Sequence, residues 1–221
     1  MITVHHLENS RSQRILWLLE ELGLDYEIVE YKRDPETASG PESLKKVHPL
    51  GKSPVITDGD LTVAESGAII EYLLDQYDVE KRLRPTDGKA LLDYRYWLHF
   101  AEGSLMPLLV MKLVMMKIPE SPMPFFVKPI AKAISGKVQE KFILPRITPQ
   151  MQFIEKTLGE STWFVGEELT AADIQMSFPL QASSTRMSMT EFPNIARFIK
   201  QIEALPAYQK ALAKGGAFTT L

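Results

Sequence analysis

The sequence predicts an α/β N-terminal unit followed by an all-helical one, and three observations carry that division. Strand and helix patterns alternate up to Tyr77. No convincing strand pattern follows. Between the two regimes lies a charged stretch, Asp78 to Gly88, that contains Pro85 and has no apolar periodicity, as a linker does. The expected boundaries are therefore 1–78 for the α/β domain, 79–88 for the linker and 89–221 for the helical domain. A chain of 221 residues that is 45% hydrophobic is long enough to bury such cores.

Each element has a local reason. Ile2-Thr3-Val4-His5-His6 has the β-branched content and alternation of a strand. Ile15 to Leu19, with Leu22, form a helix that is apolar over most of its circumference and hence buried. Gly23 suits its C-terminal stop, because glycine takes the left-handed conformation without a steric cost. Tyr26 to Tyr31 is the second strand, parallel to the first across a right-handed crossover. Residues 32–50 carry Pro35, Gly40, Pro41 and Pro49 and read as a loop with a short helical piece around Pro41 to Val47. Val55 to Asp58 and Leu61 to Ala64 flank Gly59-Asp60, a two-residue turn that makes an antiparallel hairpin. Ser66 reads as the cap of a helix over Gly67 to Tyr77. The order is β-α-β-α-β-β-α, and a parallel pair plus a hairpin makes a mixed four-stranded sheet.

Beyond the linker, Lys89 to Lys117 is one long helical stretch with a kink expected at Pro107. Pro119, Pro122, Pro124 and Pro129 break the chain before a second helical region that runs to about Leu158, with interruptions expected near Pro145 and Pro149. Thr170 and Asp173 form a capping box with Asp in place of the usual Glu or Gln, and Leu169 and Ile174 are placed as a staple. Pro193 begins a helix with Ile195, Phe198, Ile199 and Ile202 on one side, and a last short helix follows Pro206.

Composition narrows the function. The formal net charge is -3, from 25 basic and 28 acidic residues, with no basic run, so nucleic acid is not an expected partner. The N-terminus opens into a strand pattern rather than a signal peptide. The longest greasy stretch, Leu105 to Ile118, is about 14 residues, shorter than the roughly 20 a bilayer requires. A soluble cytoplasmic protein is expected. The absence of cysteine excludes disulfides, Cys-ligated metals and a Cys nucleophile. His5, His6, His48 and His99 show no metal-ligand spacing, so each is expected to be structural and no metal is expected.

Three segments carry candidate chemistry. Glu8 to Arg14 hands a strand over to a helix N-terminus, where Ser10 or Ser12 either caps the helix or offers a hydroxyl to an anion. In Pro49 to Ile56, Pro54 belongs at a strand's start, and a cis Ser53–Pro54 bond would turn the Ser53 backbone toward a groove where an extended peptide could pair. Ala64-Glu65-Ser66-Gly67 brings a carboxylate, a hydroxyl and helix N–H groups together, a receptor for the two charged groups of an amino acid.

The stretches NSRSQRILWLLEELGLDYEI, HPLGKSPVI, LTVAESGAIIEYL, EGSLMP, MPF and LTAADIQMSFPLQ, in this order and spacing, resemble the glutathione transferase superfamily. The similarity runs over essentially the whole chain and is nearest a microbial serine-type branch that includes a membrane-associated yeast member. The resemblance implies a thioredoxin-like N-terminal domain and a homodimer. It implies no bound cofactor, with glutathione as co-substrate and a hydrophobic electrophile, or a peroxide, as its partner. Ser10, or Ser12 in another register, would donate to the glutathione thiolate. Ser53, beside a cis Pro54, would pair with the cysteinyl backbone, Glu65 and Ser66 would hold the γ-glutamyl group, and Lys52 would approach the glycyl carboxylate. The position before the proline is often Val in the superfamily and is Ser53 here; a backbone contact tolerates that change. The electrophile site is expected along the first long helix of the second domain, at His99, Glu102 and Met106, near Ser104, Leu105 and Leu109. A Met and Leu stripe there equally suits plain core. Peripheral membrane association is a further expectation, and a non-catalytic glutathione-binding protein of the same fold is the alternative function.

Overall fold

The computed structural model describes residues 1–216. Strand β1 (Ile2–Leu7) is followed by helix α1 (Gln13–Leu22), strand β2 (Tyr26–Tyr31), the short helix α2 (Glu42–Lys45), strands β3 (Val55–Asp58) and β4 (Leu61–Ala64), and helix α3 (Ser66–Tyr77). The sheet order is β2-β1-β3-β4. β1 runs parallel to β2, with Val4 opposite Ile28, and antiparallel to β3, with Val4 also opposite Ile56. The α/β order and mixed four-stranded sheet expected from the sequence are present. Gly23 ends α1 at φ 65°, as its position after the last apolar residue requires.

The helical part comprises α4 (Gly88–Phe100), α5 (Met106–Lys117), α6 (Lys128–Val138), α7 (Leu144–Glu160), α8 (Ala171–Ser184), α9 (Pro193–Glu203) and α10 (Pro206–Gly215). Residues 217–221, the end of the expected helical domain, lie outside the described residues. The kink expected at Pro107 and the interruptions expected at Pro145 and Pro149 are replaced by something else. A π-turn, Ala101–Leu105, joins α4 to α5 without a break, and another, Gln139–Ile143, joins α6 to α7. Each ends two residues before a proline. Proline lacks an N–H and its ring crowds the carbonyl four residues back; the wider turn accommodates both. Pro149 sits inside α7. The first of these runs, 88–120, is long and apolar enough by length and composition to cross a bilayer, with mean hydropathy 1.3 over its most apolar window and 44% of that window buried in this fold.

One apolar core spans both parts, with Trp17 and Leu18 from α1, Tyr94 from α4, Met176 from α8 and Phe198 from α9 all buried. The segment between α3 and α4 is itself pinned. Asp78 accepts the Leu83 N–H at 2.9 Å, and the Leu83 carbonyl accepts the Ala171 N–H at 2.8 Å. At the start of α8, Asp173 accepts the Thr170 and Phe164 N–H groups, both at 2.8 Å, and the Thr170 hydroxyl at 2.9 Å. Burial raises the Asp173 carboxyl to a pKa of about 6 against the pull of those bonds.

Candidate functional site

Arg11, in the turn from β1 into α1, stands on one side of a groove, and the loop into β3 and the start of α3 form the other. The Ser53–Pro54 peptide bond is cis. Pro54 is buried and the Ser53 side chain turns inward: its hydroxyl donates to the His5 carbonyl at 2.9 Å and accepts the Leu7 N–H at 3.3 Å. The serine at this position therefore ties the proline loop to β1, a role no valine could take and one that the sequence alone does not assign.

Neither serine of the turn caps α1. Ser12 occupies the N-cap position in a helical conformation and makes no side-chain cap bond. Its hydroxyl lies 2.8 Å from His6 Nδ1 and 2.7 Å from Ser10 Oγ, and its N–H donates to Ser10 Oγ at 3.3 Å. The Gln13 and Arg14 N–H groups bond the Ser10 and Arg11 carbonyls, so the helix start offers fewer open donors than a bare N-terminus. Ser12 is fully buried, whereas Ser10 is 6% exposed and stands 3.3 Å from Ser53 Oγ. Of the two, Ser10 is the one beside the cis proline. Behind them His6 Nε2 lies 2.8 Å from the Gly215 carbonyl at the end of α10.

Across the groove Ser66 is the first residue of α3 rather than its cap, and Glu65 precedes it at φ 71°, a left-handed value that side chains seldom adopt. Ser66 Oγ accepts the Arg14 Nη2–H at 3.1 Å and the Gln175 Nε2–H at 3.2 Å. With both lone pairs occupied, its own proton is left to donate. Arg14, fully buried, also donates to the Gln175 carbonyl at 2.8 Å and pairs with Glu102 at 2.7 Å. Burial lowers its pKa and Glu102 opposes the shift. Arg14 and Gln175 thus join α1, α3, the α4–α5 turn and α8 at one point. Sequence reasoning overlooks them, although an arginine inside an otherwise apolar helix is a signal.

The groove, about 80 Å³, is lined by Arg11, His48, Lys52, Ser53, Glu65 and Ser66 among others. Lys52 and Glu65 are exposed at its rim. A larger cavity of about 560 Å³ lies between α3 and α4, with Ala68, Arg95, Leu98 and His99 in its walls. It meets the groove at Glu65, Ser66 and Glu102, not at Ser10. The residues expected to form an electrophile site are therefore not gathered beside Ser10. His99 faces the larger cavity, and Glu102 is committed to Arg14 and, at 3.3 Å, to Arg11. Met106 is 3% exposed and belongs to the core, as do Leu105 and Leu109. The π-turn supplies the reason for Met106. The extra residue rotates the start of α5 by about 100°, so Met106 leaves the face shared by His99 and Glu102.

Comparison with known proteins agrees with this architecture. Residues 1–75 match the family model for the glutathione S-transferase N-terminal domain, and residues 123–215 match one for the C-terminal domain. Glutathione S-transferase 1 of Saccharomyces cerevisiae is 36% identical, with 99% of this chain and 98% of that protein covered. Glutathione S-transferase 3 of Schizosaccharomyces pombe is also 36% identical, over 97% of this chain and 88% of that protein. A crystal structure of a glutathione S-transferase from Actinobacillus pleuropneumoniae superposes with a TM-score of 0.78 at 41% identity, covering 97% of this chain and 93% of that one. With both halves of the thioredoxin-like and helical architecture matched, the chain belongs to the glutathione S-transferase family of enzymes.

Proposed function

We propose that the protein conjugates glutathione to hydrophobic electrophiles, with the Ser10 hydroxyl stabilising the attacking thiolate. The observation that carries this reading is the 3.3 Å contact of Ser10 Oγ with Ser53 Oγ, on the cis Ser53–Pro54 loop that lines the groove. The peptide backbone of glutathione pairs with Ser53, its γ-glutamyl group lies at Glu65 and the donor-ready Ser66, and Lys52 faces its glycyl carboxylate. The thiol then falls at Ser10. A free thiol of pKa about 8.5 is only a few per cent ionised at neutral pH. Lowering it by two units takes about 2.7 kcal/mol, within the range of one hydrogen bond to a charged group, about 1.5–3 kcal/mol. Ser10 acts as a donor and never as a nucleophile. The electrophile, an activated halide, an epoxide or a peroxide oxygen, approaches the sulfur from the open side of Ser10 and Arg11.

The reading includes a homodimer in the cytoplasm. The cavity between α3 and α4, with Leu92 and Tyr96 exposed on the same helix α4, offers apolar surface for a second copy to cover; sedimentation of the purified chain tests the dimer and cell fractionation the compartment. For the chemistry, the thiolate absorbance of bound glutathione is measured in the wild type and in Ser10→Ala, together with turnover of a panel of halides, epoxides and organic hydroperoxides. Ser10→Ala is expected to lose the thiolate signal at neutral pH and about 10²-fold in turnover. Equal spectra and rates in the two proteins would remove Ser10 from the mechanism.

A further inference from the structure

Ser10 is the open end of a chain of hydrogen bonds whose proton order can be worked out. The Gly215 carbonyl can only accept, so His6 Nε2, at 2.8 Å, carries a proton. In the neutral ring Nδ1 is then a bare acceptor, and the Ser12 hydroxyl at 2.8 Å donates to it. The proton of Ser12 being spent there, the 2.7 Å contact between the serines has Ser10 as donor and Ser12 as acceptor. The Ser53 hydroxyl is committed to the His5 carbonyl, so its oxygen can only accept from Ser10. That contact, at 3.3 Å, is longer than the 2.7 Å one to Ser12 and is the weaker claim on the single Ser10 proton. In the resting protein, therefore, the Ser10 proton points to Ser12, the Ser12 N–H occupies one Ser10 lone pair, and the other lone pair is left to accept. That is the wrong polarity for a thiolate and the right one for a thiol.

We propose that His6 is the proton acceptor for glutathione ionisation, acting through Ser12 and Ser10 as a two-hydroxyl relay. The S–H bond breaks and its proton passes to Ser10 Oγ. The Ser10 proton moves to Ser12 Oγ, and the Ser12 proton moves to His6 Nδ1. Both hydroxyls are regenerated with their direction reversed. A thiolate now accepts from Ser10, Ser10 accepts from Ser12, and Ser12 accepts from an imidazolium. The charge is zero before the transfer and an opposed pair after it. After attack on an epoxide, for example, the proton returns by the same path or through water to the alkoxide of the product. This deepens the role of Ser10 proposed above and rests on it. His6 is a positioning and proton-holding residue that does not touch glutathione.

The surroundings suit the part. His6 is 4% exposed, and burial lowers its pKa, which keeps Nδ1 free in the resting state. Two influences act the other way, the Gly215 carbonyl and the charge of Glu30 on β2. The α1 side presents Gln13 and Leu16, and in α10 the nearest charged neighbour of Gly215, Lys214, is paired with Glu20. The close approach of α10 depends on glycine: a side chain at 215 would collide with Leu16 and Gln13.

The test uses the full-length protein with glutathione alone. Three quantities are followed: the thiolate absorbance against pH, the protons released on binding in weakly buffered solution with an indicator dye, and the ring 15N resonances of His6. In the wild type, thiolate is expected to form with little proton release while His6 becomes doubly protonated. In Ser12→Ala the thiolate fraction at neutral pH is expected to fall about tenfold, a rise of about one pKa unit, and each thiolate formed then releases its proton to solvent. Ser12→Thr restores the wild-type behaviour. His6→Asn, which can bond Ser12 but cannot take the proton, behaves as Ser12→Ala does. Wild-type thiolate and proton release in Ser12→Ala, or a His6 ring that stays singly protonated on binding, would overturn the relay while leaving Ser10 in place. Loss of nothing in Ser10→Ala would overturn the reading beneath it.

Discussion

The turn from β1 into α1 and the helical hairpin of α5 and α6 are held by opposite means. At the turn, His6, Ser10, Ser12, Arg14 and Ser53 are bonded to one another or to α3, α8 and α10, and the atoms are placed by donors and acceptors. In the hairpin the polar ties are sparse: the Ser135 hydroxyl bonds the Met115 carbonyl, and Lys112 Nζ reaches Gln139 at 3.3 Å. There Phe125 is 84% exposed, and Ile130 and Ile134 on α6 are also exposed. A hydrogen-bonded cluster fixes directions, which proton chemistry needs. Apolar contact fixes only proximity. Function that depends on where a single proton points belongs in the first kind of region.

If that contrast is sound, the largest effects come from the buried charge at the turn. The Arg14 side chain is 1% exposed, while that of Glu102 is 29% exposed. Removing one partner of a buried pair costs about 3–5 kcal/mol, because the other charge stays behind without compensation. The two partners differ in what they can do next. Glu102 can turn to Arg11 and water after Arg14→Met, whereas Arg14 cannot leave the core after Glu102→Leu. Urea unfolding is expected to show Glu102→Leu as the more destabilised variant, with Arg14→Met losing less. Equal, small losses in both would mean that packing and not charge pairing joins the two domains here.

The next effect lies outside the groove, in the cap of α8. Asp173→Ala leaves the Phe164 and Thr170 N–H groups buried without acceptors, each costing about 1–3 kcal/mol. Asp173→Asn keeps one carbonyl oxygen and is expected to lose less. The carboxyl also gives a pH signature. Its folded-state pKa, about 6, exceeds the unfolded value near 4, so between those two values the folded state binds more protons. This group alone makes the protein relatively more stable as pH falls through that window and less stable as pH rises through it. The unfolding free energy of the wild type minus that of Asp173→Asn, followed from pH 7 to pH 4, is expected to grow as pH falls; a flat difference would place the Asp173 pKa near its unfolded value.

The same contrast explains how much of the molecule is legible in the chain. The β-α-β-α-β-β-α order is legible because strands and helices differ in apolar period, and because Gly23 and Gly59 mark their ends. Ser53, Pro54 and Ser66 are legible as candidates because each sits at the junction of two elements, and the structure places all three along the groove. His6 is not. Its ring partner, Gly215, comes 209 residues later, and a strand histidine gives no local sign of what it faces. The serines are visible as residue types, but the direction of their protons is set by the carbonyl at the far end. Met106 lies in the core for a reason the sequence pattern does not carry: a π-turn shifts the helical register just before it, whereas Pro107 suggests a kink.

The smallest effect is expected at the hairpin, and it is the sharper test of the two-region picture for that reason. Phe125 keeps most of its surface in water and touches the Phe126 ring edge-on, with centroids 5.7 Å apart. Burial energy scales with area removed from water, and little is removed here. Phe125→Ser is expected to change unfolding free energy by less than about 0.5 kcal/mol, the range of ordinary surface substitutions. It should leave the thiolate absorbance of bound glutathione unchanged, because Ser10 is bonded to Ser12 and Ser53 and, among the described residues, no hydrogen bond joins it to this loop. A loss of about 2 kcal/mol or more by urea unfolding, on the order of a full core truncation, would show that Phe125 is covered in solution. A shift in the thiolate signal would show instead that the hairpin and the turn are coupled, and that proximity alone carries information between them.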